Sequence, residues 1–108
     1  MGETTVNDFR TGSSRDGAMD VLHVSGEVDV STAPIVKAHM DQLIDKGAMS
    51  VVIDLSDLTF IDTSGLSVLA RAASRMHGRG RRMVLRSPSQ SVRRSLEITG
   101  LGIILPIE

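Results

Sequence analysis

Short apolar runs alternating with segments of helical spacing constrain the fold of this chain more than any other feature. Val51-Val52-Ile53 and Ile103-Ile104-Leu105 are continuous, mostly β-branched and bounded by turn residues, as in strands covered on both faces. Met83-Val84-Leu85 is a weaker third run. Strands separated by helices of about a dozen residues indicate parallel pairing through crossover connections. The sequence therefore predicts an α/β fold.

Two further apolar segments lie near the N-terminus. Val6 to Arg10 and Met19 to Ser25 are separated by Thr11 to Gly17, a polar stretch with two glycines. This pattern predicts a hairpin whose loop is Thr11 to Gly17. The two strands are expected to pair antiparallel at one edge of the sheet.

Helix signals follow in two places. Ser31 or Thr32 can cap the first helix, Pro34 suits its first turn, and Gly47 ends it. The second helix is predicted to begin after Asp62-Thr63. The inner face of the first helix is formed by Val36, Met40, Leu43 and Ile44, and that of the second by Leu66, Leu69, Ala70, Ala73 and Met76. Gly78 and Gly80 are expected to stop the second helix.

A third helix is predicted near the C-terminus. Ser87 offers a cap, Pro88 the first helical position and Gly100 the exit, with Val92 and Leu96 facing inward. The predicted order is β-β-α-β-α-β-α-β, in one mixed, mostly parallel sheet covered by α-helices. Because no linker or repeat interrupts the chain, residues 1–108 are expected to form a single domain.

Composition excludes several classes of function. The 108 residues contain no Cys, which rules out disulfides and thiolate metal sites, and only 2% are aromatic, which disfavours RNA recognition by stacking. No apolar run approaches the roughly 18 residues of a membrane helix, and Met1 to Arg10 has no signal-peptide pattern. We therefore expect a cytoplasmic protein that is not inserted in a membrane.

Charge is distributed unevenly along the chain. Residues 1–62 hold 11 acids and 4 bases, a net charge of −7, whereas residues 63–108 hold 8 bases and 2 acids, a net charge of +6. The bases of the second part are Arg71, Arg75, Arg79, Arg81, Arg82, Arg86, Arg93 and Arg94. A phosphate-binding or nucleic-acid patch is one hypothesis. A solvated basic face is favoured, because these arginines are spread over several predicted elements without interleaved aromatics.

The polar segment between Asp54 and Leu66 follows the most apolar strand and enters the second helix. It lies at the carboxyl end of the strand, where open α/β sheets bind ligands. Asp62, Thr63 and Ser64 are alternative helix caps, and the backbone N–H groups of a helix start also tolerate a phosphate on Ser64. Gly65 is expected to leave room beside the hydroxyl for a partner, with Leu66 and Leu69 anchoring the helix from below.

Several motifs in this chain resemble the anti-sigma-factor antagonists of the STAS family. They are Ser25-Gly26-Glu27-Val28-Asp29-Val30-Ser31-Thr32-Ala33, Val51-Val52-Ile53-Asp54-Leu55, Phe60-Ile61-Asp62-Thr63-Ser64-Gly65-Leu66 and Leu96-Glu97-Ile98-Thr99-Gly100-Leu101. The resemblance implies a single STAS-like domain that binds an anti-sigma factor serine/threonine kinase and thereby frees the sigma factor. It also implies a protein phosphatase that restores the unphosphorylated form.

The resemblance assigns roles to individual residues. Ser64, before the glycine, corresponds to the phosphoacceptor, Thr63 to the preceding hydroxyl position, and Asp29 to an acidic residue near the acceptor. The expected partner-binding residues are Asp29, Asp62, Thr63, Ser64, Gly65 and Leu66. Phosphorylation of Ser64 is expected to abolish binding by like-charge repulsion. The alternative is a STAS scaffold or adaptor that does not switch, in a stress-signalling or lipid-transport complex.

Enzymatic and metal-binding alternatives have weaker support. A nucleophilic Ser64 would need His23, His39 or His77 as its base, and the sequence around Ser64 does not form a Gly-x-Ser-x-Gly elbow. The spacing of Asp54, Asp57 and Asp62 does not match a calcium loop, so capping and turn roles are expected. No catalysis, cofactor or metal is predicted.

Overall fold

A computed structural model describes residues 4–6 and 8–108 and has the predicted α/β architecture with a mixed sheet. The strands are β1 Thr4–Val6, β2 Phe9–Asp16, β3 Met19–Val28, β4 Ser50–Asp54, β5 Leu58–Ile61 and β6 Arg82–Arg86. The helices are α1 Ala33–Asp45, α2 Thr63–Gly78, α3 Gln90–Thr99 and α4 Leu101–Ile104. No helix among these residues is long and apolar enough to cross a membrane.

The sheet has the order β1-β2-β3-β4-β6, and β5 pairs with the far end of β3. β1, β2 and β3 pair antiparallel, whereas β3, β4 and β6 are parallel. Leu22, Ile53 and Leu85 project from the three parallel strands into a fully buried core. Met40 of α1 and Met76 of α2 close that core with flexible side chains that fill irregular space.

The predicted N-terminal loop is wrong. Thr11 to Asp16 belongs to β2, and the chain turns in two residues at Gly17, whose φ of 62° suits a tight hairpin turn. The stretch is polar because β1 covers β2 only as far as Thr11, so the remainder of β2 is a sheet edge. Val6 lies opposite Phe9 in the separate strand β1, so Val6 to Arg10 is not one strand.

The prediction of a C-terminal strand at Ile103-Ile104-Leu105 is also wrong. Ile103-Ile104-Leu105 does not form a strand, because Gly100, with φ of 75°, ends α3 and starts the short helix α4. The pairing with β6 occurs a few residues later, where Leu85 N–H donates to Pro106 O at 2.9 Å. The strand β5 was not predicted, because its four residues lie in a segment interpreted as polar.

The predicted boundaries of α1 and α2 are confirmed to within one or two residues, with α2 beginning at Thr63 itself, and the start of α3 is corrected. Thr32 precedes α1 and Asp62 caps α2, but α3 is capped by Ser89, whose hydroxyl accepts from Val92 N–H at 3.3 Å. Ser87 cannot serve, because its backbone has a positive φ and its N–H donates to Glu108 O. Pro88 accordingly lies before the helix.

Among the glycines that the structure describes, Gly26 is the one at which a side chain is tolerated least. Its φ is 85°, and a Cβ would lie 2.3 Å from the backbone oxygen of Asp8. We expect Gly26→Ala to lower the free energy of unfolding by more than about 2 kcal/mol in urea titrations. Gly17→Ala, which has a positive φ and open space, should cost only about 1 kcal/mol. Equal losses in the two variants would contradict the steric explanation.

Candidate functional site

Two strand ends bring the acidic residues of the predicted site together. β3 and β5 are parallel, with Val28 opposite Ile61, and Asp62 N–H donates to Val28 O at 3.0 Å. Asp29 and Asp62, which follow directly, therefore leave the sheet from adjacent strand ends. The first turn of α2 starts at this edge and carries Ser64.

Asp62 organises the first turn of α2. Its Oδ1 accepts from Ser64 N–H at 2.9 Å and from Gly65 N–H at 3.3 Å, as an N-cap does. The Ser64 hydroxyl also donates to this oxygen. Of the alternative caps, Asp62 is therefore the one used, and the Ser64 hydroxyl is held at the helix start with its oxygen lone pairs available.

Gly65 plays a different role from the one expected. It is buried, and a Cβ there would lie 2.6 Å from Cγ1 of Val28 and 2.6 Å from Cγ1 of Ile61. A side chain at position 65 would therefore point toward the ends of β3 and β5 and not toward the surface. The expectation that Gly65 leaves room for a partner is wrong. Its absence lets the first turn of α2 sit directly on β3 and β5.

The accessible part of the predicted site is small. Leu66 and Leu69 are buried and anchor α2 as expected. Thr63 is exposed, and Asp29, Asp62 and Ser64 are half-buried. The surface that a partner can touch therefore consists of two carboxylates and two hydroxyls, with Gly65 and Leu66 supporting it from beneath.

Asp29 is tied into the turn between β3 and α1. Its carboxylate accepts from the Ser31 hydroxyl at 2.6 Å and from Ser31 N–H at 2.9 Å. Together with weaker bonds from Thr32, these bonds lower the pKa of Asp29 below its ordinary value. Asp29 is therefore an anion with a fixed position beside Asp62.

Two apolar side chains near the site were not predicted. Val30 is 77% exposed at the β3–α1 turn, and Phe60, on β5, is 48% exposed. Large exposed apolar side chains close to polar groups are typical of contact surfaces. The available signal was that one of only two Phe residues lies in the Ser64 motif.

The histidines are engaged or remote. His23 contacts Asp54 through Nδ1 at 3.2 Å and Ser14 through Nε2 at 3.1 Å, and it precedes Val28 by five strand residues, about 16 Å. His39 contacts the hydroxyl of Thr11, and burial lowers its pKa. His77 is 13 helix residues from Ser64, about 20 Å along α2. Neither His23 nor His77 can activate Ser64.

Asp54, like Asp62, has the turn or capping role expected of it. Asp54 accepts from Ser56 N–H at 3.0 Å and contacts His23. Burial raises its pKa, but the bonds from Ser56 and His23 outweigh burial and leave the pKa lowered. Within residues 8–102 and 105–108, no group of three His, Asp or Glu side chains is placed to hold a metal ion.

The arginines do not form one patch. Arg75 contacts Asp41 at 2.7 Å and Asp45 at 3.1 Å, and so joins α2 to α1. Arg81 donates to Ile44 O at 2.9 Å, and Arg86 contacts Glu108 at 3.5 Å. Three of the eight arginines are therefore engaged in contacts within the fold.

Comparison with known proteins decides the family. The sequence profile of the STAS domain matches residues 14–108. The chain belongs to the STAS domain family. It is 34% identical over 87 residues to the anti-sigma-B factor antagonist of Listeria monocytogenes, covering 81% of this chain and 76% of that protein. This degree of identity places the chain among the anti-sigma factor antagonists, which are regulatory binding proteins and not enzymes.

Solved structures of this family share the fold. An anti-sigma factor antagonist from Mycobacterium paratuberculosis superposes with a TM-score of 0.86 at 27% identity, covering 92% of this chain and 84% of that one. The Bacillus cell fate determinant SpoIIAA in its phosphorylated form superposes with a TM-score of 0.72 at 21% identity, covering 91% and 90%.

In this STAS-family protein, two substitutions of Asp62 should differ in their effect on the free energy of unfolding. Asp62→Ala removes the acceptor of Ser64 and Gly65 N–H, so we expect a loss of about 1 kcal/mol in the free energy of unfolding. Asp62→Asn retains a capping oxygen and should stay within about 0.5 kcal/mol of the wild type. Urea titrations of both variants test this, and an equal loss in both would contradict the capping role.

Gly65→Ala should destabilise the protein although Ala is the better helix former. The added methyl group meets Val28 and Ile61, so we expect a loss of about 1–3 kcal/mol in the free energy of unfolding. Gly78→Ala, at the other end of α2, has no atom within 4 Å of its Cβ and should be neutral or stabilising. A neutral Gly65→Ala, measured by thermal denaturation beside Gly78→Ala, would refute the packing argument.

Proposed function

We propose that this protein is an anti-sigma factor antagonist controlled by phosphorylation of Ser64. In this proposal the unphosphorylated form binds an anti-sigma factor serine/threonine kinase in the cytoplasm, and the kinase releases its sigma factor. One observation carries the proposal. The Ser64 hydroxyl lies at the start of α2, beside the carboxylates of Asp62 and Asp29 at the accessible ends of β5 and β3. The names of the relatives supply the class of partner.

The proposed reaction transfers one phosphoryl group. The Ser64 oxygen attacks the γ-phosphorus of ATP, a new O–P bond forms, the β–γ bond breaks, and ADP leaves while the hydroxyl proton passes to a base. Ser64 then has no proton to donate to Asp62, and the phosphate and the carboxylate repel each other. The phosphoserine side chain is expected to turn away from Asp62, toward the partner surface.

The fold is expected to survive this modification. The N-terminus of α2 carries the partial positive charge of the helix dipole, which stabilises an anion by about 0.3–1 kcal/mol at an exposed site. Arg71 is two helical turns from Ser64, so no arginine of α2 lies within the first turn to neutralise the phosphate fully. SpoIIAA, which has the same fold, has been solved in a phosphorylated form.

Binding is expected to be lost because the added charge enters a contact surface. The phosphate adds about −1.5 to −2 charge next to Asp62 and Asp29. A charge buried in an interface without a partner costs about 2 kcal/mol or more, which weakens binding roughly 30-fold or more. A protein phosphatase that hydrolyses the phosphoserine would restore the binding form and complete the cycle.

We expect Ser64 to be the site of modification. The kinase can be captured from a lysate of the source organism with immobilised Ser64→Ala, identified by mass spectrometry and purified. With this kinase and ATP, wild-type protein should gain one phosphate on Ser64, Thr63→Ala should still be modified, and Ser64→Ala should not. Full modification of Ser64→Ala would overturn the assignment.

We also expect the charge at position 64 to control binding. In titrations against the purified kinase, Ser64→Ala should bind like the wild type, and Ser64→Asp should bind at least about 30-fold more weakly. Gln42→Asp, an equally charged change at an exposed position on α1, is the matched control and should bind normally. Retention of the partner by both Ser64 variants would instead support a scaffold that does not switch.

A further inference from the structure

A shallow groove runs beside the proposed phosphoacceptor, between α2 and the junction of α3 with α4. Its volume is about 200 Å³, and it is lined by Thr63, Leu66, Ser67, Ala70, Thr99 and Leu101. Ile98, 78% exposed, adjoins Thr99 at its edge. The groove is therefore mainly apolar, with a few hydroxyls, and it opens next to Ser64.

Two arginines flank this groove and are available for contacts. Arg71 follows Ala70 directly and lies one turn beyond Ser67, and Arg94 lies one turn before Ile98. Both are exposed, and neither has a hydrogen-bond or ion-pair partner within the described part of the chain. Unlike Arg75, Arg81 and Arg86, these two make no hydrogen bond or ion pair to the described residues.

The groove contains no opposing charge. α2 has no acidic residue between Thr63 and Gly78. The single acid of α3, Glu97, is exposed and does not line the groove; it lies one turn after Arg94 and about 60° further around the helix from the groove. The surface is thus basic at its rim and apolar inside, whereas the strand ends at Asp29 and Asp62 are acidic.

We propose that this groove binds a segment of the anti-sigma factor. The segment is acidic, and at least one of its apolar side chains enters the groove. The inference rests on the proposed function. A specific interface covers about 800 Å² on each partner, a patch about 16 Å in radius. Arg71 is seven residues from Ser64, about 10 Å along α2, so a kinase that engages Ser64 covers the groove as well. Carboxylates on that segment complement Arg71 and Arg94.

The first test reverses the charges at the rim. The double variant Arg71→Glu/Arg94→Glu should bind the purified anti-sigma factor roughly 10-fold to 100-fold more weakly, mainly through slower association, and added salt should no longer slow its association because salt then screens a repulsion. Arg79→Glu/Arg93→Glu makes the same change in net charge at arginines away from the groove and should bind within about 3-fold of the wild type. Equal weakening in both double variants would overturn the proposal.

The second test identifies the occupant directly. Because the chain has no Cys, Ser67→Cys provides a single attachment point for a benzophenone photocrosslinker. We expect crosslinking to a peptide of the anti-sigma factor that contains Asp or Glu beside an apolar residue, and none from Gln42→Cys on the exposed side of α1. A crosslink to a second copy of this chain, or to a basic peptide, would overturn the proposal.

These tests separate the two proposals. If Ser64→Asp loses the anti-sigma factor while Arg71→Glu/Arg94→Glu binds normally, the groove proposal fails and the switch stands. If Ser64→Asp binds normally, the switch itself fails. Urea titrations of each double variant establish that a loss of binding does not come from unfolding.

Discussion

The pairing of β5 with the end of β3 positions the proposed site. Val28 lies opposite Ile61, and the bond from Asp62 N–H to Val28 O joins the two strand ends where the chain turns into α2. Asp62 then caps α2, and its carboxylate accepts a hydrogen bond from the Ser64 hydroxyl. If this register slipped by one residue, side chains would exchange faces and the cap, the acceptor and Asp29 would separate.

Gly65 shows how the packing and the site depend on each other. Because it has no side chain, the first turn of α2 rests on Val28 and Ile61, and Ser64 is presented at a fixed height above the sheet. A helix lifted by even one methyl group would shift Ser64 relative to Asp29. The glycine of the motif therefore acts through the core and not through the partner surface.

The distribution of charge along the sequence has a counterpart in the structure. The acidic first part contributes Asp29 and Asp62 at the strand ends, and the arginine-rich second part contributes α2 and α3. Some arginines are used internally, as in the bonds of Arg75 to α1, whereas Arg71 and Arg94 remain at the surface. A partner that covers both regions would meet negative charge on one side of Ser64 and positive charge on the other, which favours one orientation of docking.

The amino-acid sequence by itself determined the α/β class, the inner faces of α1, α2 and α3, and the likeness of the Ser64 motif to STAS proteins, because periodicity and motifs are local. It did not determine β5, the true extent of the N-terminal hairpin or the helical turn at Leu101, because edge strands and short helices depend on neighbours distant in sequence. Only the tertiary structure placed Asp29 beside Asp62, turned Gly65 toward the core and formed the groove between α2 and α3. Each of these features depends on contacts between segments about 30 or more residues apart in the sequence, which local patterns cannot encode.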